Sequence, residues 1–185
     1  MPGIHYKINT GKLKQELYKT CLLFFFIFIS RGIIAQTEND KRIELGKQVF
    51  IALKTNNVQL YRNLYPDFEE YKTLIQQMVN AKIDGLTQEQ MNIFLEDYKR
   101  EADSMYRAEF INLKHQADSL GIDWNATEFI SFESIAAFPD KITIKYLDGY
   151  LKFNIAQAVF IMDVEAFEFD PSFKLQAVKN IRKFE

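Results

Sequence analysis

The pattern of hydrophobic and polar residues changes once along the chain, near residue 121. Before that point, apolar residues recur at steps of three and four, the spacing of one helix face. This spacing predicts helices over residues 38–55, 58–65 and 67–82, followed by a long helix after residue 87. Thr87 and Gln90 fit a capping box, in which each side chain bonds the other residue's backbone amide. Gly121 supplies the left-handed residue that ends many helices.

The long helix carries one apolar stripe, which we expect to face the core. Its members are Met91, Phe94, Leu95, Tyr98, Ala102, Met105, Tyr106, Leu113, Ala117 and Leu120. On the polar side of the same helix, Glu96 with Arg100 and Asp103 with Arg107 have the four-residue spacing of favourable ion pairs. The stripe predicts an amphipathic helix.

After residue 121 apolar and polar residues alternate, which predicts β-strands. Strands are expected over 127–138, 142–146, 151–155 and 159–169, with a hairpin turn at Asp148-Gly149 and a turn at Asp170-Pro171. Residues 173–184 fit a strand or a helix, and we favour the strand because a helix would leave the preceding strand as an exposed edge. Helices followed by strands predict an α+β fold, with the helices on one face of an antiparallel sheet of about four strands.

Residues 7–36 have the pattern of a secretory signal peptide. Four lysines precede the apolar run 21–29, Ser30-Arg31-Gly32 interrupts it, and a small residue, Ala35, follows. Nine apolar residues are too few to span a bilayer, which takes about 20, so a cleaved leader is favoured over an anchor. We expect residues 1–35 to be removed and residues 36–185 to form one exported α+β domain, periplasmic or extracellular, with no stable membrane span.

Charge and cysteine content then exclude several classes of function for residues 36–185. Residues 1–35 hold five of the 23 Lys and Arg and one of the 25 Asp and Glu, so the remainder has a net charge of −6. Such an acidic body disfavours nucleic-acid binding. The single cysteine, Cys21, leaves with the leader, which excludes disulfides, thiolate catalysis and cysteine-bound zinc. The core must therefore be aromatic and aliphatic.

Few residues of the chain are candidates for a catalytic role. His115 is the one histidine after residue 35, no serine there has a neighbouring glycine, and the glycines are isolated. These features argue against a metal site, a serine hydrolase and a phosphate-binding loop, so we expect no cofactor and no metal. Asp163 and Glu165 remain as weak candidates, because an acid among aromatic residues on one strand face can have a raised pKa and transfer protons.

A ligand pocket is the second possibility. Tyr98, Tyr106, Trp124 and Phe132 are the weak candidates for lining it. The other interpretation is that they belong to the core between helices and sheet, and the sequence favours that interpretation.

Two stretches resemble the cone-shaped nuclear-transport-factor-two-like and cystatin-like families of small exported bacterial proteins. One is the helix, short gap and next helix over residues 49–60, and the other is the strand-rich stretch 141–184. Together they cover under half of the mature chain. The resemblance implies a curved sheet wrapped on a helix, with a pocket at the open end. It implies no activity, because such folds carry enzymes and binding proteins alike.

The leading hypothesis is therefore an exported, non-catalytic domain that binds a small molecule or a protein of unknown identity. A second hypothesis is a cone-fold isomerase or lyase with Glu165 or Asp163 as general base. A third is a structural protein that assembles through the long helix.

Overall fold

The chain forms helices first and strands afterwards, in a computed structural model that describes residues 39–137, 144–169 and 172–184. Residues 39–54 are helical and are called α1. The further elements are α2 (Val58–Asn63), α3 (Phe68–Asn80), α4 (Gln88–Ser119), β1 (Thr127–Ala137), β2 (Lys145–Ile155), β3 (Ala158–Phe169) and β4 (Ser172–Lys183). The predicted α+β class is confirmed. The leader and the Asp170-Pro171 turn lie outside the described residues.

Local sequence signals set the helix ends. Thr87 and Gln90 form the predicted capping box at the start of α4. Asp67 and Glu70 form a second box at the start of α3. Gly121 has a φ of +70°, and Ile122 N donates to Ala117 O at 2.9 Å, which closes α4 in a left-handed cap.

The sheet is antiparallel, with the strand order β1-β2-β3-β4. It is curved and does not close on itself. One face carries the helices. The main core lies between that face and α1, α2 and α4, and its fully buried side chains include Val49, Leu53, Tyr61, Leu113, Leu147, Leu151, Phe153, Met162, Val164 and Leu175. Residues 173–184 are a strand, as predicted, up to Lys183.

The predicted hairpin at Asp148-Gly149 is wrong. Both residues lie inside β2, where Gly149 pairs with Ser134 on one side and with Val164 on the other. A Cβ on Gly149 would lie 2.6 Å from Glu133 O, so the glycine permits close approach of two strands instead of a turn. The chain turns between Ile155 and Ala158, where Ala156 has a φ of +52°.

A second, smaller core holds α3 against the first half of α4. Its buried residues are Ile75, Met91 and Leu95, with Phe68, Tyr71, Met78, Val79 and Leu86 partly buried around them. The predicted stripe of α4 is therefore only partly correct. Phe94, Met105 and Leu120 are exposed, and Met105 keeps 60% of its accessible surface. The two halves of α4 pack on different partners, so the buried face is not one continuous stripe.

The edge strand β4 is covered by helical residues. Leu175 N donates to Leu64 O at 2.8 Å. Val178 N donates to Glu109 Oε1 at 3.0 Å, and Ile181 N donates to Gln116 Oε1 at 3.0 Å. Glu109 and Gln116 are two turns apart on α4, so they lie on the same face. These bonds satisfy amides that a free edge would present to another strand.

Candidate functional site

Two of the four proposed ligand-binding aromatics lie together. Tyr106 Oη donates to Tyr98 Oη at 3.0 Å, and Tyr98 Oη donates to Pro66 O. The Tyr98 ring stacks on Tyr71 at 4.1 Å, and the Tyr106 ring stacks on Tyr65 at 4.0 Å. Burial and the bond that Tyr106 donates to Tyr98 raise the pKa of Tyr106, so this phenol stays neutral. These rings form a tyrosine wall between α4 and the α2–α3 connection.

Trp124 and Phe132 lie elsewhere, in the main core. Trp124 is only 6% exposed, and its ring stacks on Phe153 at 5.3 Å. Phe132 is buried in the same core. Neither residue lines the clefts described below. The structure therefore brings together Tyr98 and Tyr106 and places the other two in the interior of the fold.

Asp163 and Glu165 lie on β3, on the face of the sheet that carries none of the described helices. Arg182 binds Asp163 with both terminal nitrogens, at 2.7 and 2.8 Å, and Asn180 Nδ2 donates to it at 3.0 Å. The bond from Arg182 holds the pKa of Asp163 below its usual value. Lys179 Nζ lies 3.0 Å from Glu165 Oε1. Ion-paired carboxylates are stabilised in the charged form, and a lowered pKa is opposite to the shift that proton transfer by Asp163 would use.

A polar cleft of about 480 Å³ opens beside the tyrosine wall, and we call it the Arg62 cleft. Helices α2 and α4, the α2–α3 connection and β4 border it. Its lining residues are Val58, Gln59, Arg62, Asn63, Tyr65, Asp67, Asp103, Arg107 and Lys174. The volume falls in the size class of ligand sites, about 300–1,000 Å³. Most of these side chains are polar or charged, in contrast to an apolar pocket for a hydrophobic ligand.

Arg62 is the central side chain of this cleft. Its Nε donates to Asp103 Oδ1 at 2.6 Å, and its guanidinium lies 4.9 Å from the centre of the Tyr106 ring. The Arg62 side chain is 27% exposed and the Asp103 side chain 87% exposed. Within the described ranges the terminal N–H groups of Arg62 have no acceptor. A guanidinium held by a ring and by one carboxylate thus keeps donors available for a second acceptor.

A second cleft, of about 320 Å³, lies on the other side of the Arg62–Asp103 pair, and we call it the Phe68 cleft. It is lined by Arg62, Phe68, Tyr98, Lys99, Arg100, Ala102 and Asp103. Lys99 Nζ lies 4.7 Å from the centre of the Phe68 ring. Both clefts share Arg62 and Asp103, so this ion pair is the partition between them.

The two clefts are richer in cations than the rest of the chain. Their linings contain five Lys and Arg side chains and two Asp side chains, whereas residues 36–185 have a net charge of −6. Three of the cations pair with carboxylates outside the linings. Lys174 lies 3.2 Å from Glu70, Lys99 lies 3.1 Å from Glu96, and Arg100 lies 2.9 Å from Glu101. Arg107 is exposed and makes no ion pair within the described residues.

A buried polar network anchors α2, the helix that carries Arg62. The hydroxyls of Tyr61 and Tyr65 both donate to Glu109 Oε1, the oxygen that also accepts from Val178 N. Burial, followed by the negative charge of Glu109, raises the pKa of Tyr61. The network joins α2 to α4 and β4. Because Arg62 follows Tyr61 in α2, the same bonds anchor the helix backbone that carries Arg62.

Sequence reasoning named Tyr98 and Tyr106 as weak candidates and did not name Arg62. It paired Asp103 with Arg107, four residues along the same helix, whereas the structure pairs Asp103 with Arg62, 41 residues earlier in the chain. The composition of 58–65 gives no signal for this pairing. Only the packing of α2 on α4 brings the two side chains together.

The described residues contain no cluster of three His, Cys, Asp or Glu side chains placed to hold a metal ion. None of their helices combines the length and apolar character needed to cross a membrane. The chain matches no protein-family model, no curated protein and no solved structure. The fold and the clefts define it as an α+β domain with a polar, cation-lined cleft, and the resemblance to the cone-shaped families stays a prediction.

Proposed function

We propose that this protein is an exported, non-catalytic binding domain whose Arg62 cleft holds a ligand that carries an anionic group. The observation that carries the proposal is the Arg62 side chain, which contacts Tyr106 and Asp103 and whose terminal donors have no acceptor among the residues that the structure describes. Arginine binds carboxylates and phosphates through two parallel hydrogen bonds. The cleft offers recognition groups, and the carboxylates proposed for catalysis lie on the opposite face of the sheet.

Assembly through α4 has weaker support. Ile93, Phe94, Met105 and Ile111 are exposed on this helix. Charged side chains of Asp97, Arg100 and Glu101 lie between Phe94 and Met105 and pair with one another. A helix interface of the coiled-coil kind needs a continuous apolar seam, and α4 does not present one.

Saturation-transfer NMR tests the proposed ligand class. The probes are acetyl-glutamate amide, which has one carboxylate, and the isosteric, uncharged acetyl-glutamine amide. We expect saturable signal from the glutamate probe, with a Kd in the range of about 1 mM, equivalent to about −4 kcal/mol, and none from the glutamine probe. Arg62→Gln should abolish the signal.

Arg182→Gln is the matched control, because Arg182 also binds an aspartate but lies on the other face of the sheet. It should leave binding unchanged. Equal binding of both probes, or equal loss in both variants, would contradict an anion site at Arg62.

Export is the second part of the proposal, and it rests on the basic and apolar pattern of residues 7–36. Intact-mass analysis of the protein from its native envelope fraction should give a chain that begins at Gln36. A chain that still begins at Met1 in that fraction would contradict cleavage after Ala35.

A further inference from the structure

We propose that the Arg62 cleft and the Phe68 cleft are two halves of one groove, which binds an acidic peptide segment in extended conformation. This inference rests on the proposed function and names its ligand class. The groove runs along α4 from Lys99 to Arg107, and the Arg62–Asp103 pair crosses it near the middle.

The Arg62–Asp103 ion pair, which separates the two clefts, is weak enough for a ligand carboxylate to take the place of Asp103. Asp103 is 87% exposed and binds only Nε of Arg62. Exposed ion pairs contribute little to stability, so a ligand carboxylate can compete with Asp103. The incoming carboxylate gains two parallel bonds when it meets Nε and one terminal nitrogen of Arg62 side-on, and Nε is the atom that Asp103 now holds. Displacement of the Asp103 side chain then joins the two clefts.

The charged side chains that line the two clefts favour a negatively charged peptide over a positively charged one. Five cationic and two acidic side chains line the two clefts. The acidic partners of Lys174, Lys99 and Arg100 stand outside the lining, so an occupant meets the cations first. A basic peptide would meet the same cations and be repelled.

The length of the groove favours a peptide over a single small anion. Residues 99 to 107 of α4 rise by about 12 Å. An extended peptide rises about 3.3 Å per residue and alternates its side chains. Glutamates at positions i, i+2 and i+4 therefore reach from one end of the groove to the other on one face of the peptide.

Biolayer interferometry with the full-length protein tests the groove. Three biotinylated peptides are immobilised: Gly-Glu-Ala-Glu-Ala-Glu-Gly and its counterparts with Gln or Lys in place of Glu. We expect the Glu peptide to bind about tenfold or more tightly than the Gln peptide and to lose affinity as salt screens the charges. The Lys peptide should not bind.

The variants give effects of opposite sign. Arg62→Gln and Arg107→Gln should each weaken binding of the Glu peptide by about tenfold, the size of one charged hydrogen bond. Asp103→Asn should tighten it several-fold, because it removes the competing carboxylate. Arg182→Gln should change nothing. A gain of affinity cannot arise from a damaged fold, so Asp103→Asn guards against that explanation.

The outcomes separate this inference from the proposed function. If the Glu peptide binds no more tightly than acetyl-glutamate amide, the inference of a peptide groove is wrong, whereas the proposed anion site at Arg62 is retained. Weaker binding to Asp103→Asn, or preference for the Lys peptide, also overturns the groove. Binding that is insensitive to Arg62→Gln overturns both.

Discussion

The helical hairpin of α3 and α4 and the sheet with its covering helices are held by cores of very different size. The sheet-side core includes ten or more fully buried side chains from α1, α2, α4 and three strands. The hairpin core has three buried residues, Ile75, Met91 and Leu95. Helix α4 belongs to both cores. The difference suggests that the hairpin opens at a lower free energy than the sheet, as regions with few buried apolar contacts do.

The groove lies where the two regions meet. Arg62 belongs to the sheet side, because the Glu109 network fixes its helix to β4. Phe68 belongs to the hairpin core. A ligand that contacts both should reduce the opening of the hairpin, since binding to the closed form alone stabilises it.

The largest expected effect comes from truncation in the sheet-side core. Leu151 is fully buried in β2, so Leu151→Ala should lower the free energy of unfolding by about 3 kcal/mol or more. Ile75→Ala in the hairpin core should cost less globally, because the hairpin opens before the rest unfolds. Urea titration followed by circular dichroism measures the first effect.

Hydrogen exchange distinguishes the two variants. Ile75→Ala should speed exchange in α3 and the first half of α4 only, whereas Leu151→Ala should speed it throughout. Equal loss of global stability in both variants would show that the cores form one cooperative unit.

The next effect concerns the network that joins α2 to β4. Glu109→Gln keeps the shape of the side chain but turns an N–H group or a weaker acceptor toward Tyr61, Tyr65 and Val178 N. Loss of a charged acceptor in a buried network should cost about 1–3 kcal/mol. Thermal unfolding by circular dichroism measures it. Glu101→Gln, at an exposed position on the same helix, is the control, and a cost as small as that of the control would contradict the network's role.

Removal of the α4 cap should have a smaller effect, confined to the hairpin. Thr87→Ala removes the oxygen that accepts from Gln90 N and should cost about 1 kcal/mol. Because the lost bond lies at the hairpin end of α4, faster exchange is expected in the first turns of that helix and not in the sheet. Thr87→Ser retains the acceptor and should behave like the natural chain. A uniform increase in exchange would contradict a separate hairpin.

The smallest expected effect lies on the outer face of the sheet. The lowered pKa of Asp163 means that its pair with Arg182 stabilises the fold above the unfolded-state pKa. That contribution is lost as the pH falls through the still lower folded-state pKa. Asp163→Asn should therefore cost about 0–1 kcal/mol at neutral pH, as partly exposed pairs do, and nothing in strong acid.

Urea midpoints at neutral and acidic pH measure this difference. Glu96→Gln, an exposed residue whose partner is Lys99, should shift neither midpoint by more than Asp163→Asn does. A difference for Asp163→Asn that persists unchanged in strong acid would exclude the ion pair as its cause.

Local signals predicted much of the fold because they act within one element. The Thr87 capping box and Gly121 mark the two ends of α4, as predicted. Residues 173–183 form a strand, as predicted from the need to cover the edge of the preceding strand. The turn predicted at Asp148-Gly149 is absent because pairing of these residues with both β1 and β3 outweighs their local turn preference. The exposure of Met105 could not be read from the helical period, since α4 changes partners along its length.

The site was harder to predict than the fold. Tyr98 and Tyr106 share one helix, and their eight-residue spacing places them on the same side of it, about two turns apart. Arg62 and Asp103 come together only when α2 packs on α4, and nothing in their local sequence encodes that contact. A cleft built from long-range contacts gives no periodic signal.

The chain has a single tryptophan, and its ring stacks on Phe153 inside the sheet-side core. Its fluorescence is therefore a reporter of one region only. Ligand binding beside Arg62, or opening of the α3–α4 hairpin, would leave the tryptophan emission spectrum unchanged. Tyrosine signals would register both events, because Tyr65, Tyr98 and Tyr106 lie beside the groove, although Tyr146 and Tyr150 on β2 add a contribution from the sheet.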